Sequence, residues 1–306
     1  IPNPGFFIPI FIIFIIYNMG NKYNLFFCLD NNYIEALPYV FRSFIVNNDP
    51  KLYNINFITY NIKKTKIINN ILLKISPDFN IIIKKFIPSK DFIILLKSYH
   101  NFLSNFNHMS SQSLNTFTNL GNWSRFFMHE LFPEVEYGLY LDLDILFNNS
   151  IIDLVENVPK EKLIGVIPYK KKKIINREQL LIKNFNNKIF KIFKIDSNLL
   201  NNESYNCGVV YYNLKKWKEE NITNRILNLL IYSIRNNILL FYSGTEVIQN
   251  LLIPEYKTYS KKYNKIYNKS NVKKLNFSII HFKGIKHHWK DKVYLDTYIR
   301  IINKLK

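Results

Sequence analysis

Through the first ninety residues, short runs of β-branched and aromatic residues alternate with segments whose apolar positions recur every three or four residues. Residues 25–29 (LFFCL) form a continuous apolar run that closes in polar DNNY, the pattern of a buried strand. Apolar positions 34, 37, 40, 41, 44 and 45 follow at helical spacing, with Pro38 near the start of the helix, where proline is tolerated. Residues 55–60 predict a second strand, 63–74 a helix and 80–86 a third strand. Strand and helix in alternation predict an α/β fold built on a mostly parallel sheet. Further on, residues 110–132 open as a polar loop and end as an amphipathic helix carrying Arg125, which leads into a strand ending at Asp142 and Asp144. The pattern then gives a short helix at 151–158, a strand at 163–169, and a strand and turn at 204–217. Helices follow at 221–237, capped by Asn221 or Thr223, and at 244–252. A late strand at 276–282 carries His281 at its end. Residues 170–203 are rich in Lys, Asn and Ile without a clean period and read as a helical or mobile insertion. With no repeat and no linker, residues 21–306 read as one domain.

The run GFFIPIFIIFIIYN falls short of the ~20 apolar residues that a membrane helix needs. Residues 1–20 are read as the remnant of a signal peptide or anchor, with a buried first strand as the alternative. An anchor would place the domain in the Golgi or ER lumen as a type II or secretory-pathway protein, and a buried strand would leave it in the cytoplasm. The 306 residues, 48% hydrophobic and 16% aromatic, can fill a large core. A net charge of +20 suggests an anionic partner. Lys, Asn, Ile, Tyr and Phe are inflated together, however, and the lysines are spread rather than massed, so codon bias accounts for the surplus and nucleic acid is not the expected partner. The two cysteines, Cys28 and Cys207, are too few for a disulfide framework and lack metal-site spacing.

Chemistry enters at YLDLD. Asp142 and Asp144 flank Leu143, and residues two apart in a strand share a face, so both carboxylates would project from its carboxyl edge, where open α/β sheets bind ligands. Asp30 and Asn32 follow the first strand, and His281 ends the last. If these strands are parallel neighbours, the three clusters converge. Two carboxylates and an imidazole suit Mn²⁺, with Mg²⁺ the harder alternative, and phosphate oxygens could complete the shell.

In order and spacing these motifs resemble glycosyltransferase family 8, which includes glycogenin and the lipopolysaccharide galactosyl- and glucosyltransferases. The resemblance runs over about 24–290. It implies a GT-A (Rossmann-like) nucleotide-diphospho-sugar transferase fold with helices flanking a mostly parallel mixed sheet. It also implies an enzyme moving a hexose or pentose from a UDP-sugar to a hydroxyl of a glycan, glycolipid or protein with retention of configuration, and dependent on Mn²⁺. On FCLDNNY, Cys28, Asp30, Asn32 and Tyr33 would hold the uridine. Arg125 of WSRFF would reach the donor sugar and diphosphate. Asp142, Asp144 and His281 would bind the metal, with Leu143 against the donor. Asn206 and Gly208 of YNCGVVYYNLKKW would lie beside the donor sugar, and Gly284 of HFKG would give its backbone to the phosphate. Two departures stand out. Where the family has Asp-Gln-Asp this chain has Gly244, Thr245 and Glu246, so Thr245 and Glu246 would meet the sugar hydroxyls. Where the family has Lys-Pro-Trp, His287 stands in for the lysine, with Lys286 beside it. The first departure supports an alternative: a catalytically inactive member that binds UDP or a glycan.

Overall fold

The computed structural model describes residues 22–63, 65–105, 117, 119–176, 187–240, 244–267, 276–283 and 287–305. Its strands are β1 (Tyr23–Leu29), β2 (Tyr53–Thr59), β3 (Asn80–Lys85), β4 (Tyr137–Leu141), β5 (Ile145–Phe147), β6 (Ile164–Lys173), β7 (Glu203–Asn213), β8 (Lys257–Thr258), β9 (Lys265–Ile266) and β10 (Ile279–His281). Seven of them form one sheet in the order β3-β2-β1-β4-β7-β6-β8, and β5-β10-β9 form a second, smaller sheet. In the large sheet every strand but β7 runs the same way, because β7 is antiparallel to both of its neighbours, β4 and β6. The main helices are α1 (Leu37–Ile45), α2 (Lys66–Leu73), α3 (Lys90–Ser104), α4 (Leu120–Ser124), α5 (Ile222–Arg235), α6 (Thr245–Leu252) and α7 (Lys292–Ile302).

Alternation along the strands builds two cores, one on each face of the large sheet. Phe26, Tyr140, Val210 and Tyr212 face one core; Leu25, Phe27, Leu139, Leu141, Val209 and Tyr211 face the other. Every residue of β7 after Glu203 is buried, polar Ser204, Asn206 and Asn213 included, so the strand is covered on both faces. Among the described residues no helix is long and apolar enough to cross a membrane. The apolar run of residues 1–20 lies outside the described residues.

Three elements differ from the sequence reading. The strand before the aspartates stops at Leu141, and the chain resumes as β5 in the other sheet at Ile145, so Asp142, Leu143 and Asp144 form the joint between two sheets rather than one face of a strand. The strand bearing His281 is not a parallel neighbour of β1 and β4; it pairs antiparallel with β5 in the small sheet. Asn221 precedes α5 in a left-handed conformation without capping it through its side chain, and the Thr223 hydroxyl instead donates to the Phe126 carbonyl. The 170–203 stretch resolves in part: β6 extends to Lys173 and a short helix covers Asn187–Ile192, while residues 177–186 lie outside the described residues.

Candidate active site

Strand order reverses between β1 and β4, since β2 and β3 lie on one side and β7 on the other. Crevices outside the carboxyl ends of such a pair are where open α/β sheets take ligands. A cleft of about 90 Å³ opens there, lined by Cys28 of β1, by Asp30 and Tyr33 after it, by Asn119, Gly121 and Asn122 of α4 and its cap, and by Tyr140, Asp142, Leu143 and Asp144.

Backbone pairing fixes the three prospective metal ligands. The Asp142 N–H donates to the Gly208 carbonyl at 2.8 Å, carrying the β4–β7 ladder one step past Leu141. The Phe282 N–H donates to the Asp144 carbonyl at 2.7 Å, and His281 stands opposite Ile145 in the β5–β10 register. One ligand atom from each of Asp142, Asp144 and His281 then lies within 4.8 Å of the others. His281 Nε2 is 3.0 Å from Asp144 Oδ1 and 3.9 Å from Asp142 Oδ2. His281 Nε2 and Asp144 Oδ1 are both buried, and neither meets hydrogen-bond geometry with any partner. A buried imidazole nitrogen and a buried carboxylate oxygen facing each other call for positive charge between them, a proton on the ring or a metal ion in its place. Two hard carboxylates and one imidazole fit manganese, and magnesium less closely. Gly208 completes the cradle: a Cβ there would fall 2.3 Å from His281 Cε1 and 2.6 Å from Asp142 Oδ2, so no larger residue leaves this space open.

Electrostatics follow from burial and neighbours. Burial alone pushes both carboxylates up; Asp142 ends above its ordinary value despite Arg125, while His281 holds Asp144 below its own. Burial works to lower the His281 pKa, but the carboxylates, Asp144 foremost, outweigh it and raise it. Tyr140, two residues before Asp142 and on the same face, donates its hydroxyl to Asp142 Oδ1 at 2.7 Å.

Arg125 sits behind the cleft wall. Its Nη1 donates to the Cys207 carbonyl at 2.9 Å and its Nε to the Asn122 carbonyl at 3.0 Å, while Nη2 is 3.5 Å from Asp142 Oδ1 and the guanidinium lies 4.4 Å over the Tyr140 ring. In this geometry Arg125 braces Asp142 rather than facing a donor. At the β1 end of the cleft, Asp30 Oδ1 accepts from the Asn32 N–H at 2.9 Å, capping the turn that carries Tyr33, and the exposed Asn32 does not line the cleft. Cys28 accepts from the Ser124 hydroxyl at 3.0 Å, and burial pushes its thiol up to about 11. His287 is exposed at a left-handed position, its ring 5.2 Å from that of Trp289. Gly284 and Lys286 lie outside the described residues.

A second polar group adjoins the first. Glu246, in the first turn of α6, accepts from Asn206 Nδ2 at 2.8 Å and from Lys283 Nζ at 3.1 Å, and Lys283 also bonds the Tyr169 hydroxyl at 3.0 Å. Asn206 Oδ1 accepts from the Gly208 N–H and from Asn264 Nδ2, and Asn264 Oδ1 meets His281 Nδ1 at 3.0 Å. Thr245 is buried at the start of α6, and Gly244 enters it at φ 25°, a conformation that favours glycine over the aspartate of the family pattern. Sequence reasoning missed Tyr140, Lys283 and Asn264. The period of two marked Tyr140 from Asp142 and Lys283 from His281, whereas nothing distinguished Asn264 among so many asparagines.

The profile of "Glycosyl transferase family 8" matches residues 24–293. No curated protein matches. Among solved structures, the galactosyltransferase LgtC in complex with donor and acceptor sugar analogs superposes with a TM-score of 0.60 at 14% identity, covering 92% of this chain and 95% of that one. The WbbM bifunctional glycosyltransferase gives 0.60 at 14% identity over 92% of this chain, which spans 50% of WbbM. The glycosyltransferase GlyE of Streptococcus pneumoniae TIGR4 gives 0.57 at 18% identity, over 93% of this chain and 63% of that one. These likenesses identify the fold as GT-A.

Proposed function

The chain belongs to glycosyltransferase family 8, and from that premise we propose that it transfers a hexose or pentose from a UDP-sugar to a hydroxyl acceptor, with retention of configuration and with manganese as its metal. The observation that carries this reading is the facing pair of unsatisfied atoms, Asp144 Oδ1 and His281 Nε2, beside Asp142 at the β1/β4 switch point.

In this reading Asp142, Asp144 and His281 hold the ion, which when bound neutralises charge on the diphosphate as UDP departs. Tyr33 offers its ring to the uracil, with Cys28 and Asp30 lining the same cleft. Arg125 keeps Asp142 oriented and adds fixed positive charge behind the diphosphate. Asn206, Thr245 and Glu246 meet the sugar, Lys283 holds the Glu246 carboxylate in place, and Gly208 leaves room for the ion. Lys286 or His287 supplies further positive charge, and Gly284 a backbone donor, to the leaving group. Residues 21–306 form the catalytic domain, and residues 1–20, the remnant of a signal peptide or anchor, direct it to the secretory pathway.

One observation favours a second reading, an inactive member that binds UDP or a glycan. Family members carry an amide at position 245, and here the nearby Glu246 carboxylate is already engaged by Asn206 and Lys283. Both readings are tested by incubating the purified protein with a panel of nucleotide sugars in Mn²⁺ or in EDTA and measuring released UDP. Manganese-dependent release from one sugar, abolished in Asp144→Asn, is the expected result. UDP binding without turnover of any sugar, with acceptor glycans supplied, would favour the second reading. UDP binding indifferent to metal would overturn the site assignment.

A further inference from the structure

The hydrogen bonds between the two polar groups have a direction that their end members impose. The ionised Glu246 carboxylate only accepts, so the Asn206 group 2.8 Å from it is the amide nitrogen. The Gly208 N–H only donates, so it requires the Asn206 oxygen on the other side, at 3.0 Å. Asn264 must then turn its nitrogen to that oxygen, at 3.2 Å, which leaves its own oxygen facing His281 Nδ1 at 3.0 Å. Asn264, Asn206 and His281 are all buried, so water does not compete for these positions. The fold supports the order. β9 starts directly after Asn264 and pairs parallel with β10, setting Ile266 opposite His281, and the Tyr267 N–H closes on the His281 carbonyl at 2.8 Å.

We propose that Asn264 is a positioning residue for the metal site: its carboxamide oxygen accepts the His281 Nδ1 proton and so leaves the Nε2 lone pair bare and aimed at the ion between Asp142 and Asp144. The chain of bonds begins at Glu246 and therefore ties the sugar-facing carboxylate to the ring orientation of the metal ligand. Outer partners of this kind fix the tautomer and direction of a ligating imidazole. The inference rests on the metal reading proposed above.

Three proteins test it: the wild type, Asn264→Leu, which keeps volume and removes both bonds, and Asn264→Asp, which keeps an acceptor toward Nδ1 but no donor toward Asn206. Mn²⁺ binding is read from the electron paramagnetic resonance of the free ion. The His281 tautomer is read by nitrogen NMR of metal-free, histidine-labelled protein at alkaline pH, assigned by the signals missing from His281→Gln. Asn264→Leu should weaken Mn²⁺ binding roughly 10- to 100-fold and lose the pure Nδ1–H tautomer. Asn264→Asp should bind within a few-fold of wild type with that tautomer intact. Should Asn264→Leu fail to fold, Asn264→Ser, too short to reach the ring, takes its place. Wild-type affinity and tautomer in Asn264→Leu, or equal loss in both variants, would overturn the role of Asn264 while leaving the metal site standing. A wild-type protein that binds no Mn²⁺ would overturn both.

Discussion

Gly208 has no room for a side chain, unlike Gly121 on the other wall of the site. A methyl group there would overlap the His281 ring and the Asp142 carboxylate, and both of these are held by backbone pairing as well as by their side chains. Gly208→Ala is therefore expected to cost about 1–3 kcal/mol of stability by overpacking and to lower Mn²⁺ affinity at least tenfold. A thermal melt run beside a Mn²⁺ titration checks both. His288 offers a second test at this scale. Its ring is fully buried among Tyr33, Trp289 and Tyr294, and burial pushes its pKa down to about 4. Because the folded value lies below the ordinary 6.5, the unfolded chain binds the proton first. Stability from this group is complete above pH ~6.5, declines as pH falls, and is gone below the folded value, a loss on the order of 3 kcal/mol. His288→Phe should flatten that part of the stability–pH curve, and denaturant melts between those limits would show it. What could be read from the residues at this scale was uneven. The Asp-x-Asp and the two polar clusters stood out because charge is scarce in their apolar surroundings. Asn264 did not, because its meaning lies in which neighbours it touches, and spacing along the chain carries none of that.

Among the elements, the strands were easiest to read: β1, β2 and β3 each lie within about two residues of their expected limits, since strands of a parallel sheet are rich in β-branched and aromatic residues, and β7 starts within one residue of its own. α3 was not legible. Its five consecutive apolar residues, 92–96, mask the helical period, and the Ser89 cap that starts it looks like any other loop serine. Nor could the pattern show that β5 and β10 leave the large sheet, because pairing partners are a property of the tertiary fold. Beside the packing of Phe44 on Phe147, a hydrogen bond ties this small sheet to α1: the Ser43 hydroxyl donates to the Val40 carbonyl at 2.6 Å and accepts from the Phe147 N–H at 3.0 Å, all of it buried. Ser43→Ala strips the Phe147 N–H of its acceptor and should destabilise the protein by about 1–3 kcal/mol. Chemical denaturation measures it, and a change below a few tenths of a kcal/mol would show that this bond does not anchor the sheet.

Over the whole molecule, the charge of +20 remains larger than any cleft for a dianionic donor requires, and its even spread leaves it a compositional fact. The arrangement of the two sheets has more consequence. Asp142 leaves the large sheet, Asp144 enters the small one, and His281 stands beside it at the end of the middle strand of that small sheet. An ion held by all three would act as a rivet through two plates, stiffening the seam by lowering the chance that the plates part. Local opening of the small sheet is then linked to ion binding. Amide hydrogen exchange should slow at Ile145–Phe147 and Ile279–His281 when Mn²⁺ is added, while the interior of β2, remote from the seam, keeps its metal-free rate. Exchange that slows equally in both places would mean that the ion tightens the molecule as one body. In the expected case, the few amides of the small sheet would report whether the site is filled without any sugar being turned over.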